Sequence, residues 1–201
     1  MMRTLRVSAL ERDATYRLLA GLVVPRPVAW VSTLSRSGVP NLAPFSFFTV
    51  VGASPPLLGV SINQGKARGP KDTFVNIRDT GEFVVNIGDA DTVAAMEATS
   101  AEVPPEVDEF RLAGLTAVYD NCFVQAPRVA QAPAQFECVH ERTVDFGEYA
   151  FVVGEVKAVH LREGLCDERL RIDLERFRWV GRLAGGQYCH ATPGFTPPTL
   201  R

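Results

Sequence analysis

Fourteen prolines and sixteen glycines are spread along the whole chain, and this punctuation constrains the fold more than any other feature. Proline locks its own φ and lacks an N–H, and glycine loses the most freedom on ordering. Long helices are therefore disfavoured, and short strands with many turns are favoured. Val28 to Leu34 and Phe45 to Val51 are rich in β-branched and aromatic residues, with the turn Ser35-Arg36-Ser37-Gly38 after the first, and they read as a hairpin. Pro55-Pro56 precedes a third strand, Leu57 to Ile62, and Asn63 to Pro70 is a polar loop. Lys71 to Arg78 places Phe74, Ile77 and Val75 at helical spacing; Asp72 or Thr73 is its expected cap and Thr80-Gly81 its stop. Glu82 to Ile87 is a strand. Asp91 to Ser100 is a helix with Val93, Ala94 and Met96 inward, and Ala101 to Phe110 is a loop. Gln135 to Asp145 and Tyr149 to Leu161 are two longer strands about Phe146-Gly147-Glu148. A short helix is expected within Met1 to Leu19, and a surface tail from Gly181. The sum is a mainly β chain: a closed or nearly closed antiparallel barrel with a few helices. No GxGxxG follows a strand, so a Rossmann domain has no support.

The length of 201 residues is that of one domain, 1–201, with an expected core of about 20–165 and a C-terminal tail of 181–201. The formal net charge of -2 leaves no global field to hold a polyanion, so nucleic acid is not an expected partner; a local basic patch for one small phosphate remains compatible with it. Leu18 to Val24 is the nearest approach to a membrane span and falls far short of the ~18 apolar residues needed. The N-terminal segment does not read as a signal peptide. Cys122, Cys138, Cys166 and Cys189 are widely spaced, with no CxxC and no histidine pair at zinc spacing. The expectation is a cytoplasmic protein with reduced thiols and no metal.

Three segments carry chemistry. In Asn41-Leu42-Ala43-Pro44-Phe45-Ser46-Phe47-Phe48, small residues, a proline and a serine adjoin aromatics. Such a segment can bring backbone polar groups and a ring beside a flat heterocycle, although alone it reads first as a barrel strand with inward Phe residues. The loop Gln64 to Thr73 holds Lys66, Arg68 and Lys71, two glycines and Thr73 at a helix start. Helix N-terminal N–H groups with nearby cations form an anion site, and Thr73 either donates to a phosphate or caps the helix, although alone the segment is equally a solvated loop with surface charges. The third segment, Pro25 to Thr33, ends in Ser32-Thr33 and alone reads as sheet filler. His140, His160 and His190 stand at no metal-ligand spacing, and no GxSxG is present. Cys138 and His140 alternate in a strand, a slim hint of a thiol–imidazole pair, while Asp108 and Glu109 read as a solvated face.

Taken in order, Arg26-Pro27-Val28-Ala29-Trp30-Val31-Ser32-Thr33, Gly38 to Phe48, Lys71-Asp72-Thr73, Asn76-Ile77 and Thr80 to Asn86 resemble the flavin reductase-like, FMN-binding split-barrel family. Later echoes are Val107-Asp108-Glu109-Phe110, Gly154-Glu155-Val156 and Gly181-Arg182-Leu183. The resemblance implies a split barrel that binds FMN without a covalent link, as a homodimer with flavin near the subunit interface. It implies that Ala43, Pro44, Phe45 and Ser46 line the isoalloxazine, through main chain and the Ser46 hydroxyl, and that Asn41 is among the cofactor-binding residues. Ser32 and Thr33 would reach the flavin tail, and Ser61, Asn63 and Arg68 would border the cofactor. Lys71, Asp72 and Thr73 would take the ribityl and phosphate end, and Arg182 and Tyr188 would approach the flavin of the same or of the other subunit. The implied activity is an NAD(P)H-dependent flavin reductase, with NADH or NADPH as donor and a partner monooxygenase or other acceptor downstream. The alternatives are a flavoredoxin-like electron-transfer protein without a nicotinamide site, and a flavin-storage module. No catalytic acid or base is expected, because the cofactor rings supply the donor and acceptor atoms.

Overall fold

The computed structural model describes residues 2–65, 69–192 and Gly194. Four α-helices are α1 (Arg12–Leu22), α2 (Asp72–Thr80), α3 (Val93–Ala98) and α4 (Glu109–Leu112). The strands are β1 (Ala29–Leu34), β2 (Pro40–Phe45), β3 (Phe48–Ala53), β4 (Pro56–Asn63), β5 (Glu82–Ile87), β6 (Ala117–Val118), β7 (Arg128–Val129), β8 (Ala134–Asp145), β9 (Tyr149–Leu161), β10 (Val180–Arg182) and β11 (Tyr188–His190).

Seven strands form one antiparallel sheet in the order β2-β1-β5-β8-β9-β4-β3. Its two edge strands are consecutive in sequence, joined only by Ser46 and Phe47. A link that short spans roughly 3.3–3.6 Å per residue, so the sheet has to curl until its edges meet. β2 and β3 share no ladder, and the barrel is therefore closed at this corner and split along the seam. The Ser61 N–H donates to the Phe47 carbonyl (2.8 Å) and pins the corner to β4.

This topology corrects the hairpin expected from the sequence. β1 pairs with Pro40–Phe45, from Ala29↔Phe45 to Leu34↔Pro40, while Phe48–Ala53 lies at the opposite edge on β4. Pro40 and Pro44 disguised the true partner; they are tolerated because β2 is an edge strand, where missing N–H groups break no ladder. The run Phe45 to Val51 is one hydrophobic stretch serving two edges.

The barrel interior is packed by Ala29, Val31, Val60, Ile62, Phe83, Val85, Cys138 and Val152, with Ile77 of α2. Backbone approaches ring edges there: a Cβ on Gly59 would stand 2.8 Å from Phe151 Cε2, and one on Gly154 2.7 Å from Phe83 Cε1. The other face of β1 is also buried, where Trp30 and Val28 meet Leu42, Met96, Phe110 and Val129, and the Trp30 indole N–H donates to Thr99 Oγ1 (2.9 Å). Burial on both faces explains why β1 reads as a continuous run rather than an alternating one.

Locally, α2 runs as expected and stops at Gly81, whose φ of 75° closes the helix with an N–H bond to Ile77 O (2.8 Å). In α3, Met96 is buried and Val93 half-buried, but Ala94 is exposed and Ala95 faces inward instead. The turn Asp89–Thr92, closed by Thr92 Oγ1 donating to Asp89 Oδ1 (2.9 Å), sets that phase. α4 lies where a loop was expected through Phe110; Asp108 caps it, its carboxylate accepting from the Phe110 N–H (2.9 Å). In the expected tail, β10 and β11 form a small hairpin whose Arg182 bridges Arg26.

Candidate functional site

A cavity of about 410 Å³ lies at the β2–β3 corner. The corner contributes Pro44, Phe45 and Phe47, β4 contributes Ser61 and Asn63, and Lys71 stands at the start of α2. Tyr149 of β9 and Arg12, Asp13 and Tyr16 of α1 complete the lining. Three rings run along it: Phe47 stacks with Tyr149 (centroids 6.1 Å, 27°), and Tyr16 tilts onto Phe47 (6.3 Å). Lys71 is half exposed with Glu102 at 3.5 Å, and Arg12 pairs with Glu148 at 2.8 Å. Five residues anticipated from the sequence, Pro44, Phe45, Ser61, Asn63 and Lys71, thus line one cavity. Arg68 lies outside the described residues.

Behind this wall is a buried polar network that the sequence reading did not foresee. Asn41 Oδ1 accepts from Thr73 Oγ1 (2.8 Å) and Thr33 Oγ1 (3.3 Å), and Asn76 Nδ2 donates to Thr33 Oγ1 (3.0 Å). Asn41 Nδ2 donates to Glu109 Oε1 (2.9 Å), and the Leu42 N–H to Glu109 Oε2 (3.1 Å). The network ties α2 to β1, β2 and α4, and so fixes Lys71 relative to the corner. Glu109 is 4% exposed, which corrects its placement on a solvated face. Burial pushes its carboxyl above the usual range. The Leu42 N–H, its own N–H and Asn41 oppose that shift, and the charge of Asp72 adds to it. The expected cap of α2 is also corrected. Lys71 is the N-cap residue, no side chain caps the helix, and Thr73 turns inward to Asn41, so its hydroxyl proton is committed. Asp72 is raised by burial, against the pull of Lys71.

Ser32, Thr33, Asn41 and Thr73 are all buried with their side chains spent inside the protein. Ser32 Oγ donates to the Pro127 carbonyl and accepts from Asn86 Nδ2 (3.0 Å). None of these four is among the residues that line the cavity. Arg182 and Tyr188 are likewise not brought to it: both donate to Glu97 Oε2 (2.6 and 2.7 Å), with the guanidinium 4.6 Å from the Tyr188 ring. Burial, then the bond to Glu97, pushes the Tyr188 hydroxyl up to about 12. Cys138 and His140 part company. Burial raises the Cys138 thiol strongly and Sγ faces the Phe136 carbonyl (3.6 Å), while His140 Nε2 meets Thr143 Oγ1 (2.8 Å). Ser46 is half-buried beside the cavity and its Oγ accepts from Arg26 Nε (3.3 Å). Lining residues absent from the sequence reading of the site are Arg12, Asp13, Tyr16 and Tyr149, each brought to it across a large sequence gap, and Glu109 is the unforeseen member of the network behind it. Among the described residues no group of His, Cys, Asp and Glu is placed to hold a metal, and no helix is long and apolar enough to cross a membrane.

A closed corner with aromatic walls, a helix start without a side-chain cap, and a cation beside it define the class: an antiparallel split barrel with an aromatic-walled pocket at its corner. Residues 21–181 match the flavin reductase like domain, and the chain belongs to that family. It is similar to nitrilotriacetate monooxygenase component B from Bacillus cereus, with a TM-score of 0.93 at 36% identity over 98% of each chain. It is similar also to the 2-nitrobenzoate 2-nitroreductase of Pseudomonas fluorescens, with a TM-score of 0.89 at 32% identity over 99% of this chain and 98% of that one. An uncharacterized protein of Aquifex aeolicus is 42% identical over 185 residues, 92% of this chain and 94% of its own. A flavin phosphate fits the donor set: aromatic rings, the hydroxyl and amide groups of Ser61 and Asn63, and Lys71 at the α2 N-terminus all line one cavity.

Proposed function

We propose that the protein is an FMN-dependent oxidoreductase in which NADH or NADPH reduces the flavin, and that it works as a cytoplasmic homodimer supplying a partner monooxygenase or another acceptor. The observation that carries this reading is the single cavity joining Pro44, Phe45 and Phe47 to Lys71. The likeness at 36% identity to a monooxygenase component supports the downstream partner. When bound, FMN supplies a ring that accepts a hydride at N5 and passes electrons on.

The chain's own residues then have four tasks. Lys71, Arg68 and the first N–H groups of α2 hold the phosphate, with a single phosphate suiting FMN better than FAD. Ser61 and Asn63 meet the polyol. Main-chain groups of Ala43 to Phe45 and the Ser46 hydroxyl orient the ring edge, and Phe45 and Phe47 exclude water from it. The buried network about Asn41 and Glu109 holds these parts in register. None of the residues in this scheme has to exchange a proton with the ring. Positioning then dominates the rate, since well-oriented reactants gain several orders of magnitude in effective concentration.

The test is an absorbance spectrum of the protein loaded with FMN, followed by anaerobic addition of NADH and of NADPH. Bleaching by a nicotinamide is expected. A protein that binds FMN but bleaches only with dithionite refutes the nicotinamide step, and one that quenches no flavin fluorescence refutes the flavin site.

A further inference from the structure

Arg26 is 6% exposed, and among the described residues it has no carboxylate partner. Its guanidinium donates to the carbonyls of Ala20 and Val23 at the end of α1 (Val23 at 3.1 Å), to the Leu183 carbonyl (3.2 Å) and to Ser46 Oγ (3.3 Å). All four partners are formally neutral. The C-terminal carbonyls of an 11-residue helix supply partial negative charge, but no full counter-charge. Arginine does not lose its proton in proteins, and a buried cation is costly unless something compensates it. The charge also stands at the corner itself: Cζ lies 5.9 Å from the centroid of the Phe47 ring, which lines the cavity.

Resting on the flavin reading above, we infer that Arg26 is a tuning residue: its buried positive charge favours the flavin in the redox state that carries negative charge. In the step concerned, hydride leaves nicotinamide C4 and bonds to flavin N5 with its electron pair. The donor becomes NAD(P)⁺ and the ring gains one negative charge, which only a further proton would cancel. A fixed cation in a poorly hydrated site attracts that charge with little screening. Arg26 also sets a polarity. Its Nε–H occupies a lone pair of Ser46 Oγ, which leaves the Ser46 hydroxyl proton to donate to an acceptor on the ring edge.

A purely structural Arg26, latching α1 to the corner and to the β10–β11 hairpin, predicts something different. Weakening the latch would lower affinity for both redox states of FMN alike. The experiment therefore measures dissociation constants for oxidised and for dithionite-reduced FMN in wild type, Arg26→Gln and Arg26→Lys, together with the midpoint potential of the bound flavin. Wild type is expected to bind reduced FMN more tightly than oxidised FMN. Arg26→Gln should reduce that ratio about tenfold, a fall of about 30 mV in midpoint for a two-electron couple. Arg26→Lys, which keeps the charge but loses the fork, should weaken both affinities and leave the ratio near that of wild type. An unchanged ratio in Arg26→Gln overturns the inference while leaving the flavin reading intact. If neither variant folds, wild type alone decides: binding reduced FMN no more tightly than oxidised FMN overturns it. Failure of wild type to bind FMN in either state overturns the flavin reading and this inference with it.

Discussion

Replacing Glu109 by Gln probes the network that joins the two ends of the site. The substitution keeps shape but turns one acceptor oxygen into an N–H₂ group. Both wild-type oxygens face donors, Asn41 Nδ2 at 2.9 Å and the Leu42 N–H at 3.1 Å, so one donor is left facing another. An unsatisfied buried donor costs about 1–3 kcal/mol. A second effect opposes this at higher pH. The Glu109 carboxyl is raised by burial, so its stabilising contribution is full below the ordinary glutamate range and is lost as pH rises through the folded-state value. Each pKa unit of elevation removes about 1.4 kcal/mol of wild-type stability above that value, and the neutral amide of the variant has no such loss. Near pH 4.5 the protonated wild-type acid still offers a lone pair on each oxygen, which the amide nitrogen does not, so the variant should be less stable by about 1–3 kcal/mol there, and the gap should narrow toward pH 8. Urea unfolding at several pH values between those limits measures it, with thermal midpoints as a check at about 2–4 °C per kcal/mol. A gap that is constant or widens with pH refutes the buried, raised carboxyl. A gap within about 0.5 kcal/mol throughout refutes the network itself, because that is the range of unremarkable surface changes.

Lys71→Ala should weaken FMN by about 1.5–3 kcal/mol and riboflavin hardly at all, by fluorescence quenching; equal losses would move the phosphate elsewhere. Gly154→Ala should destabilise the barrel by about 1–3 kcal/mol in urea, since the new Cβ would meet the Phe83 ring and stand 3.1 Å from Cys138 Cβ. Cys138 should resist alkylation at pH 8 until the protein unfolds, while exposed Cys122 reacts in the native state; mass spectrometry of the modified peptides reads both. Light scattering across a dilution series should show a dimer, and a monomer fully loaded with FMN would refute the proposed assembly.

Features governed by neighbours in sequence were legible from the residues. β5, β8, β9 and α2 fall where periodicity and breakers placed them, and Gly81 ends α2 because a left-handed residue was needed there. Lys71, Ser61, Asn63 and the Pro44–Phe45 corner were found because each sits at the end of such an element, in segments whose order resembles one family. What depends on closure of the sheet was not legible. Phe48–Ala53 looks like a partner for β1 until a two-residue link is seen to join opposite edges. Glu109 looks solvated until Asn41, 68 residues away, meets it in the interior, and the same meeting draws Thr73 away from any cap. Arg12, Tyr16 and Tyr149 share a cavity only because α1 and the start of β9 are brought to the same corner. Local sequence governs backbone conformation through sterics and short-range hydrogen bonds. Pairing, burial and the state of a buried charge are set by long-range contacts, and those exist only once the barrel has closed.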